Sequence, residues 1–159
     1  MTLPIIDCPS PNYSDRKGRE ISLVIIHYTG MLTCEASLER LCDETSEVSA
    51  HYLIDEDGTL FKLVPEDCRA WHAGVSEWQG ETDINSVSIG IELQNPGHEH
   101  GYQGFPAAQI TSLIALLKDI QNRHAITSDQ IIGHEDVAPG RKCDPGDKFP
   151  WDQVRGAFS

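Results

Sequence analysis

Short apolar runs, each closed by turn-forming residues, divide the chain into predicted strands. Residues 22–28 are almost entirely apolar and end in a histidine and a tyrosine, as expected of a strand buried on both faces. Residues 50–54 and 59–64 are joined through an Asp-Gly turn, which predicts a β-hairpin. A shorter run at 131–132 leads directly to His134. The pattern therefore places a histidine at the end of two predicted strands, where a sheet presents functional groups.

Residues 87–93 alternate between large apolar side chains and small or charged ones. Successive side chains of a strand point to opposite faces of its sheet. One face carries Ile89, Ile91 and Leu93, and the other carries Ser88, Gly90 and Glu92. We therefore expect the carboxylate of Glu92 to lie among small residues that leave space above the sheet, as the floor of a cleft.

Helical spacing of apolar residues appears in two longer stretches. Thr33 can cap a helix over residues 34–44. Pro106 opens a second predicted helix, which runs to about His124 and should pack on the sheet. Residues 151–158 predict a last helical turn or two.

Two stretches show no regular pattern. Residues 1–22 contain several turn-forming residues and predict an extended leader, and residues 65–86 form a long irregular segment. A loop of that length in a compact domain is usually functional or disordered, and its aromatic residues favour a function. Strands mixed with helices predict an α/β (α+β) fold, with a central mixed β-sheet flanked by helices, in a single domain over residues 1–159.

Charge limits the classes of partner. The 159-residue chain has a formal net charge of −13, so repulsion opposes binding to nucleic acid or to an anionic membrane surface. A run of about 18 apolar residues, as in a transmembrane helix, is absent, and the first eight residues lack the features of a secretory signal. We expect no nucleic-acid or membrane partner and a cytoplasmic location. A periplasmic location would require that a signal has been removed from the sequence.

The five cysteines are an odd number without CxxC spacing. This pattern predicts free thiols in a reducing compartment, and neither a disulfide framework nor a four-cysteine zinc site.

Residues 133–146 combine a histidine, a lysine and several acids in one turn-rich loop. Packing does not need so many polar groups in a short loop, whereas a metal or a developing oxyanion does. Neutral imidazole and carboxylate are ordinary zinc ligands, so His27, His134 and Asp144 are candidates for a zinc site with a fourth position open to water. Cys143 competes with Asp144 as third ligand, because thiolate also binds zinc. The alternative for each histidine is a hydrogen-bonded core residue.

Five short segments carry most of this chemistry. They are VIIHYT at 24–29, SAHYLI at 49–54, AWHAG at 70–74, SIGIE at 88–92 and GHEDVAPGRK at 133–142. The same segments occur in the same order in the zinc-dependent N-acetylmuramoyl-L-alanine amidases, and the chain resembles that family over roughly residues 20–152. It looks most like the AmpD and AmiD branch. The resemblance implies the fold of T7 lysozyme and the peptidoglycan recognition proteins.

Several residue roles are implied by this resemblance. His27 and His134 are zinc ligands, and Asp144 is the third because this branch carries Asp in the Lys-x-Asp-Pro-Gly position. Glu92 matches the glutamate that acts as general base, and Lys142 matches the lysine that steadies the oxyanion. On the residues alone, a salt bridge for Glu92 and a solvated loop charge for Lys142 are the alternatives.

Trp71, His72 and Asn85 match segments that line the substrate groove in the family, so the resemblance implies that they bind substrate. Trp71 and Trp78 have packing as their alternative. His51 is predicted to be a hydrogen-bonded buried histidine, with the orientation of a metal ligand as its alternative. The other histidines, predicted at the surface, are His98, His100 and His124.

The implied activity is zinc-dependent hydrolysis of the amide between N-acetylmuramic acid, or its 1,6-anhydro form, and L-alanine of the stem peptide. The acidic charge and the lack of a visible signal favour soluble anhydro-muropeptides of cell-wall recycling as substrates. One alternative is an amidase that acts on polymeric peptidoglycan. The other is a catalytically silent peptidoglycan-binding protein, against which the full set of candidate ligands argues.

Overall fold

Each predicted apolar run forms a strand of the protein in the computed structural model, which describes residues 3–157. The strands are β1 (Ile6–Asp7), β2 (Tyr13–Asp15), β3 (Leu23–Tyr28), β4 (Tyr52–Ile54), β5 (Leu60–Lys62), β6 (Cys68–Ala70), β7 (Ser88–Leu93) and β8 (Ile131–Gly133). The helices are α1 (Cys34–Leu41), α2 (Ile84–Val87), α3 (Ala107–Arg123), α4 (His134–Val137) and α5 (Trp151–Gly156), with 3-10 turns at Glu44–Ser46 and Ser128–Gln130.

Six strands form one mixed sheet in the order β1-β5-β4-β7-β3-β8. Strand β3 pairs in parallel with β7 and β8, and β7 pairs in parallel with β4. The predicted hairpin is the antiparallel pair β4 and β5. Strands β2 and β6 form a separate antiparallel pair. The prediction of a central mixed sheet flanked by helices is confirmed.

Helix α3 covers one face of the sheet, as its spacing predicted. Its buried residues pack in one core cluster with Ile89, Ile91 and Leu93 of β7 and with Val24 and Ile26 of β3. The opposite face of β7 is left to Ser88, Gly90 and Glu92. Apolar packing on the first face therefore fixes which side chains remain for chemistry on the second.

Capping residues define the start and end of α1. The hydroxyl of Thr33 accepts a hydrogen bond from the Ala36 amide at 3.1 Å, which confirms the predicted cap. The helix ends at Leu41, before the predicted end at residue 44. Asp43 ends it early because its side chain accepts from the Thr45 amide and begins a 3-10 turn.

Short strands occupy the two stretches without a pattern. The leader contains β1, which pairs with β5, and β2, which pairs with β6. The segment 65–86 contains β6 and the start of α2. These elements of two to four residues are too short for periodicity to appear in the sequence. The predicted last helix lies at Trp151–Gly156, and its expected end at residue 158 is outside the described residues.

Two predictions about the chain as a whole can be compared with residues 3–157. The five cysteines are free, as expected. Over this range, none of the helices has both the length and the apolar character that a bilayer crossing requires.

Candidate active site

A cleft of about 560 Å³ opens near the carboxyl ends of β3 and β7, on the face of the sheet opposite α3. Its lining includes most of the predicted site residues, namely His27, Trp71, His72, Glu92, His134, Lys142 and Asp144. Strands β3 and β7 bring His27 and Glu92 to the cleft. The segment that follows β8 brings His134, Lys142 and Asp144.

His27, His134 and Asp144 converge at the buried end of the cleft. One potential ligand atom from each lies within 4.8 Å of the others. The Nδ1 atoms of the two histidines are 3.0 Å apart, and each is 3.2 Å from Asp144 Oδ2. The sequence-predicted metal ligands are therefore neighbours in space, although 107 positions separate the two histidines.

Local hydrogen bonds hold the loop in this position. The carboxylate of Asp136 accepts from the Gly133 amide at 2.8 Å at the start of α4. The amide of Glu135 donates to the carbonyl of Asp144 at 2.9 Å, which brings the end of the loop back to its beginning. His134 and Asp144 are thereby fixed relative to each other before any metal is considered.

The donor set fits a zinc ion. The Nε2–H of His134 donates to the Ala73 carbonyl at 2.9 Å, because a carbonyl oxygen can only accept. In a neutral imidazole the other nitrogen, Nδ1, then carries a lone pair, and it faces the carboxylate of Asp144. Two acceptors that face each other in a buried site call for a cation between them, and imidazole with carboxylate is a zinc-binding set.

Burial and neighbouring groups set the charge of the candidate ligand side chains. Burial and the neighbouring His134 together lower the pKa of His27 to about 4, although Asp144 opposes the shift. The imidazole is therefore neutral near pH 7, the form that binds metal. Burial raises the pKa of the Asp144 carboxyl, but the adjacent imidazoles of His134 and His27 outweigh it and the net shift is downward. Asp144 is therefore ionised.

Glu92 brings a second, different carboxylate to the cleft. Its Oε2 atom is buried and has no hydrogen-bond partner among the described residues. Burial raises the pKa of this carboxyl well above its usual range, the nearby charge of Asp144 adds to the rise, and Lys142 opposes it. No salt bridge to Glu92 is present in the described part of the chain, so the alternative of an ion-paired residue is not seen. Its carboxylate can therefore accept and hold a proton.

Lys142 supplies a positive charge at the rim. Its side chain is exposed and lines the cleft, and its charge acts on both His27 and Glu92. The adjacent Arg141 is held differently, because its Nη2 donates to the carbonyls of Ala73 and Val75, at 2.7 Å each. Lys142 is thus the loop cation that stays available to a ligand.

Cys143 points away from the two histidines. Its exposed sulfur lies 3.2 Å from the Tyr28 hydroxyl and 3.4 Å from His98 Nδ1. Adjacent residues in an extended segment point in opposite directions, so Asp144 faces inward while Cys143 faces outward. The geometry separates the two residues that the sequence left as competitors.

The three residues predicted to bind substrate differ in their positions. Trp71 lines the cleft and is anchored by a hydrogen bond from its indole nitrogen to the Ser14 hydroxyl at 3.1 Å. His72 also lines the cleft but lies against His27. Asn85 is buried and is absent from the lining, and its side-chain oxygen accepts from the amides of His72 and Ala73.

Trp78 and His51 do not line the cleft. Trp78 packs against a core cluster rather than in the cleft, in line with its packing alternative. His51 is fully buried; its Nδ1 accepts from the Gly90 amide and its Nε2 lies 2.9 Å from the Cys68 carbonyl. It is the hydrogen-bonded buried histidine that the sequence predicted.

Sequence reasoning missed one wall of the cleft. His98 is exposed, as predicted, but it also lines the cleft, with Nδ1 2.8 Å from the Tyr28 hydroxyl. Its ring stacks on Tyr102 with centroids 4.1 Å apart. The available signal was Tyr28, which directly follows His27 at the end of β3, since strand ends present groups to a site.

Comparisons with known proteins agree with this geometry. A family model described as N-acetylmuramoyl-L-alanine amidase matches residues 17–147. The chain is 42% identical over 146 residues to N-acetylmuramoyl-L-alanine amidase AmiD of Escherichia coli (strain K12), covering 84% of this chain and 52% of AmiD. It is 34% identical over 165 residues to 1,6-anhydro-N-acetylmuramyl-L-alanine amidase AmpD of Salmonella typhimurium (strain SL1344), covering 92% of this chain and 86% of AmpD.

Solved structures give the same result. A crystal structure of a selenomethionine derivative of AmpD matches with a TM-score of 0.87 and 32% identity, covering 100% of both chains. The E. coli AmiD complex with the substrate anhydro-N-acetylmuramic acid-L-Ala-D-γ-Glu-L-Lys matches with a TM-score of 0.78 and 39% identity, covering 93% of this chain and 60% of that one. The chain thus spans about half the length of AmiD but most of the length of AmpD.

Proposed function

The chain belongs to the N-acetylmuramoyl-L-alanine amidase family, and we propose that it hydrolyses the amide between N-acetylmuramic acid and L-alanine of peptidoglycan stem peptides. The observation that carries this proposal is the convergence of His27, His134 and Asp144 next to the unpartnered carboxylate of Glu92. We further propose that residues 1–159 act as one amidase domain, since strands of the leader pair with β5 and β6.

In the proposed reaction, His27, His134 and Asp144 would hold zinc at the buried end of the cleft. Bound zinc would polarise the scissile carbonyl and acidify a water molecule. The carboxylate of Glu92 takes a proton from the attacking water and delivers it to the leaving nitrogen of L-alanine. Its raised pKa suits this role, because the proton must be held between the two transfers.

Lys142 is proposed to stabilise the negative charge that develops on the carbonyl oxygen in the tetrahedral state. A cation placed before the reaction acts mainly on charge that appears only in that state. Its exposure at the rim of the cleft, without an ion pair to any residue in 3–157, supports this role. Trp71, which lines the same cleft, is proposed to contact the muropeptide.

We propose soluble 1,6-anhydro-muropeptides of cell-wall recycling as the preferred substrates. AmpD carries the 1,6-anhydro form in its name, and AmiD was solved with an anhydro-muropeptide. The net charge of −13 adds support, because it slows approach to anionic wall polymers more than to a small molecule. The cytoplasmic location expected from the sequence remains a prediction.

The test is the release of peptide from anhydro-N-acetylmuramyl-tripeptide by zinc-loaded protein, followed by mass spectrometry. We expect turnover that a chelator abolishes and added zinc restores, and no turnover by His134→Ala. A parallel assay uses purified polymeric peptidoglycan. Faster release from the polymer would favour a wall-degrading amidase, and a folded, zinc-loaded protein that cleaves neither substrate would favour the silent binding protein.

A further inference from the structure

His72 lies directly behind the proposed zinc ligand His27. Its Nδ1 is 2.9 Å from His27 Nε2, the ring nitrogen that faces away from His134 and Asp144. The two rings meet edge to face, with centroids 5.1 Å apart. The contact therefore acts on the nitrogen of His27 that does not face the metal position.

The hydrogen bonds behind His72 determine which atoms carry protons. The hydroxyl of Ser88 lies 2.6 Å from the Ile84 carbonyl, and a carbonyl oxygen only accepts, so Ser88 uses its single proton there. The same hydroxyl oxygen is 3.0 Å from His72 Nε2 and must accept from it. His72 is therefore protonated on Nε2 and, as a neutral ring, accepts on Nδ1.

The direction of the next hydrogen bond follows. Because His72 Nδ1 accepts, His27 must donate from Nε2, and its proton is thereby kept off Nδ1. The lone pair of His27 Nδ1 then points to the position shared with His134 and Asp144. A ligand histidine is oriented by the hydrogen bond that its other nitrogen makes, which is the general rule for metal sites.

Ala73, the residue after His72, makes a similar hydrogen bond with the second proposed ligand, His134. The backbone carbonyl of Ala73 accepts from His134 Nε2 at 2.9 Å. The side-chain oxygen of Asn85 accepts from the amides of His72 and Ala73, at 3.1 and 2.9 Å, and holds both residues in place. His72 and Ala73, which Asn85 holds in place, therefore determine the tautomers of both His27 and His134.

Gly90 provides the room for this arrangement. A Cβ atom at Gly90 would lie 2.5 Å from the ring of His72, closer than real contacts allow. The space that the small residues of β7 predicted above the sheet is thus filled at Gly90 by the ring of His72 and is not left open to substrate.

We propose that His72 is a positioning residue that fixes the tautomer of His27. A chain of hydrogen bonds from His72 through Ser88 to the Ile84 carbonyl sets the direction of the bond between the two histidines, and Asn85 holds His72 in place. This inference rests on the proposed zinc amidase function. It gives His72 and Asn85 a role in positioning a metal ligand, whereas the resemblance to the family implied that these two residues contact substrate.

Zinc affinity, measured by competition with a chromogenic chelator, tests the proposal. His72→Leu removes the acceptor, and we expect about 10- to 100-fold weaker zinc binding. His72→Asn places its side-chain oxygen near the position of Nδ1, and we expect it to restore most of the affinity. At saturating zinc the KM of His72→Leu should stay near the wild-type value, whereas a substrate contact would raise KM and leave zinc affinity unchanged.

Ser88→Ala and Ser112→Ala form a matched pair. Each removes a serine hydroxyl that donates to a backbone carbonyl at 2.6 Å, but Ser112 bonds Gly58, remote from the cleft. We expect weaker zinc binding only for Ser88→Ala. A folded His72→Leu protein with wild-type zinc affinity would overturn the proposal.

Nitrogen-15 NMR of the histidine rings gives a second measurement that needs no variant. The wild-type protein without added zinc should show His27 protonated on Nε2 and His72 protonated on Nε2. A proton on His27 Nδ1 would overturn the proposal that His72 fixes the tautomer of His27. If the wild-type protein failed to bind zinc, the amidase proposal would fail, while this spectrum would still decide the tautomer of His27.

Discussion

His27 and Glu92 are register partners on the neighbouring parallel strands β3 and β7. Partners in register point to the same face of a sheet, so the proposed zinc ligand and the proposed base are side by side. A shift of one residue in either strand would move one of them to the face covered by α3. The pairing of β3 with β7 therefore determines how the proposed ligand and the proposed base lie relative to each other.

Glu92→Gln should retain zinc and lose most of its activity. The amide has nearly the same shape as the carboxylate but cannot accept a proton from water, so we expect kcat to fall by about 100- to 10,000-fold. Metal content is measured by atomic emission and turnover by peptide release. Near-normal turnover with full zinc content would remove Glu92 from the base role.

The sequence predicted the site best where a single strand carries the information. The alternation of Ser88, Gly90 and Glu92 shows in residues that are adjacent in the chain, and it placed Glu92 on the correct face. The position of His72 could not be predicted in this way, because its contacts with His27 and Ser88 join segments 45 and 16 positions away. Such contacts depend on how loops pack, which periodicity does not encode.

The choice between Asp144 and Cys143 shows the same limit. Two adjacent residues of similar metal affinity are distinguished only by which one faces inward, and this depends on the hydrogen bond between Glu135 and Asp144 across the loop. The wall at His98 was missed because its contact with Tyr28 joins segments 70 positions apart, which periodicity does not encode.

Asp144→Ala should abolish tight zinc binding, and Cys143→Ala should leave it unchanged. Asp144 Oδ2 faces both histidines, whereas the sulfur of Cys143 faces Tyr28 and His98. We expect a loss of at least about 100-fold in zinc affinity for Asp144→Ala alone. Chelator competition gives both values, and the opposite order would assign the third ligand to Cys143.

Lys142→Met should lower kcat while zinc affinity stays the same. The charge that Lys142 is proposed to stabilise appears only in the tetrahedral state, so we expect a loss on the order of 100-fold in kcat with little change in KM. Lys118→Met, on the exposed side of α3, removes the same charge far from the cleft. Equal kinetics for the two variants would contradict the role of Lys142.

Gly90→Ala should destabilise the protein and weaken zinc binding together. The new Cβ would lie 2.5 Å from His72, whose ring is held by hydrogen bonds on both nitrogens. Overpacking of this kind costs about 1–3 kcal/mol. Gly104→Ala is the control, because a Cβ there meets no atom within 4 Å. Urea unfolding should separate the two variants, and equal stability would show that His72 can move aside freely.

Stability in acid should depend on Glu66, away from the cleft. Burial raises the pKa of this carboxyl, but hydrogen bonds from Arg123, Tyr52 and His124 outweigh burial and bring it to about 2. The carboxyl keeps its proton less readily in the folded state than in the unfolded state. Its contribution is therefore complete above about pH 4.5 and is lost as pH falls toward 2, and it amounts to about 2–3 kcal/mol.

Glu66→Gln isolates this contribution. We expect the variant to be less stable than the wild type by about 1–3 kcal/mol at pH 7, and the gap to narrow steadily between pH 4.5 and 3, because only the wild type loses an ionised, hydrogen-bonded carboxylate there. Urea unfolding with chelator present excludes any effect of bound metal. Glu39→Gln, at an exposed position on α1, should show no comparable gap. A gap that stays constant with pH would mean that Glu66 acts through packing rather than through its charge.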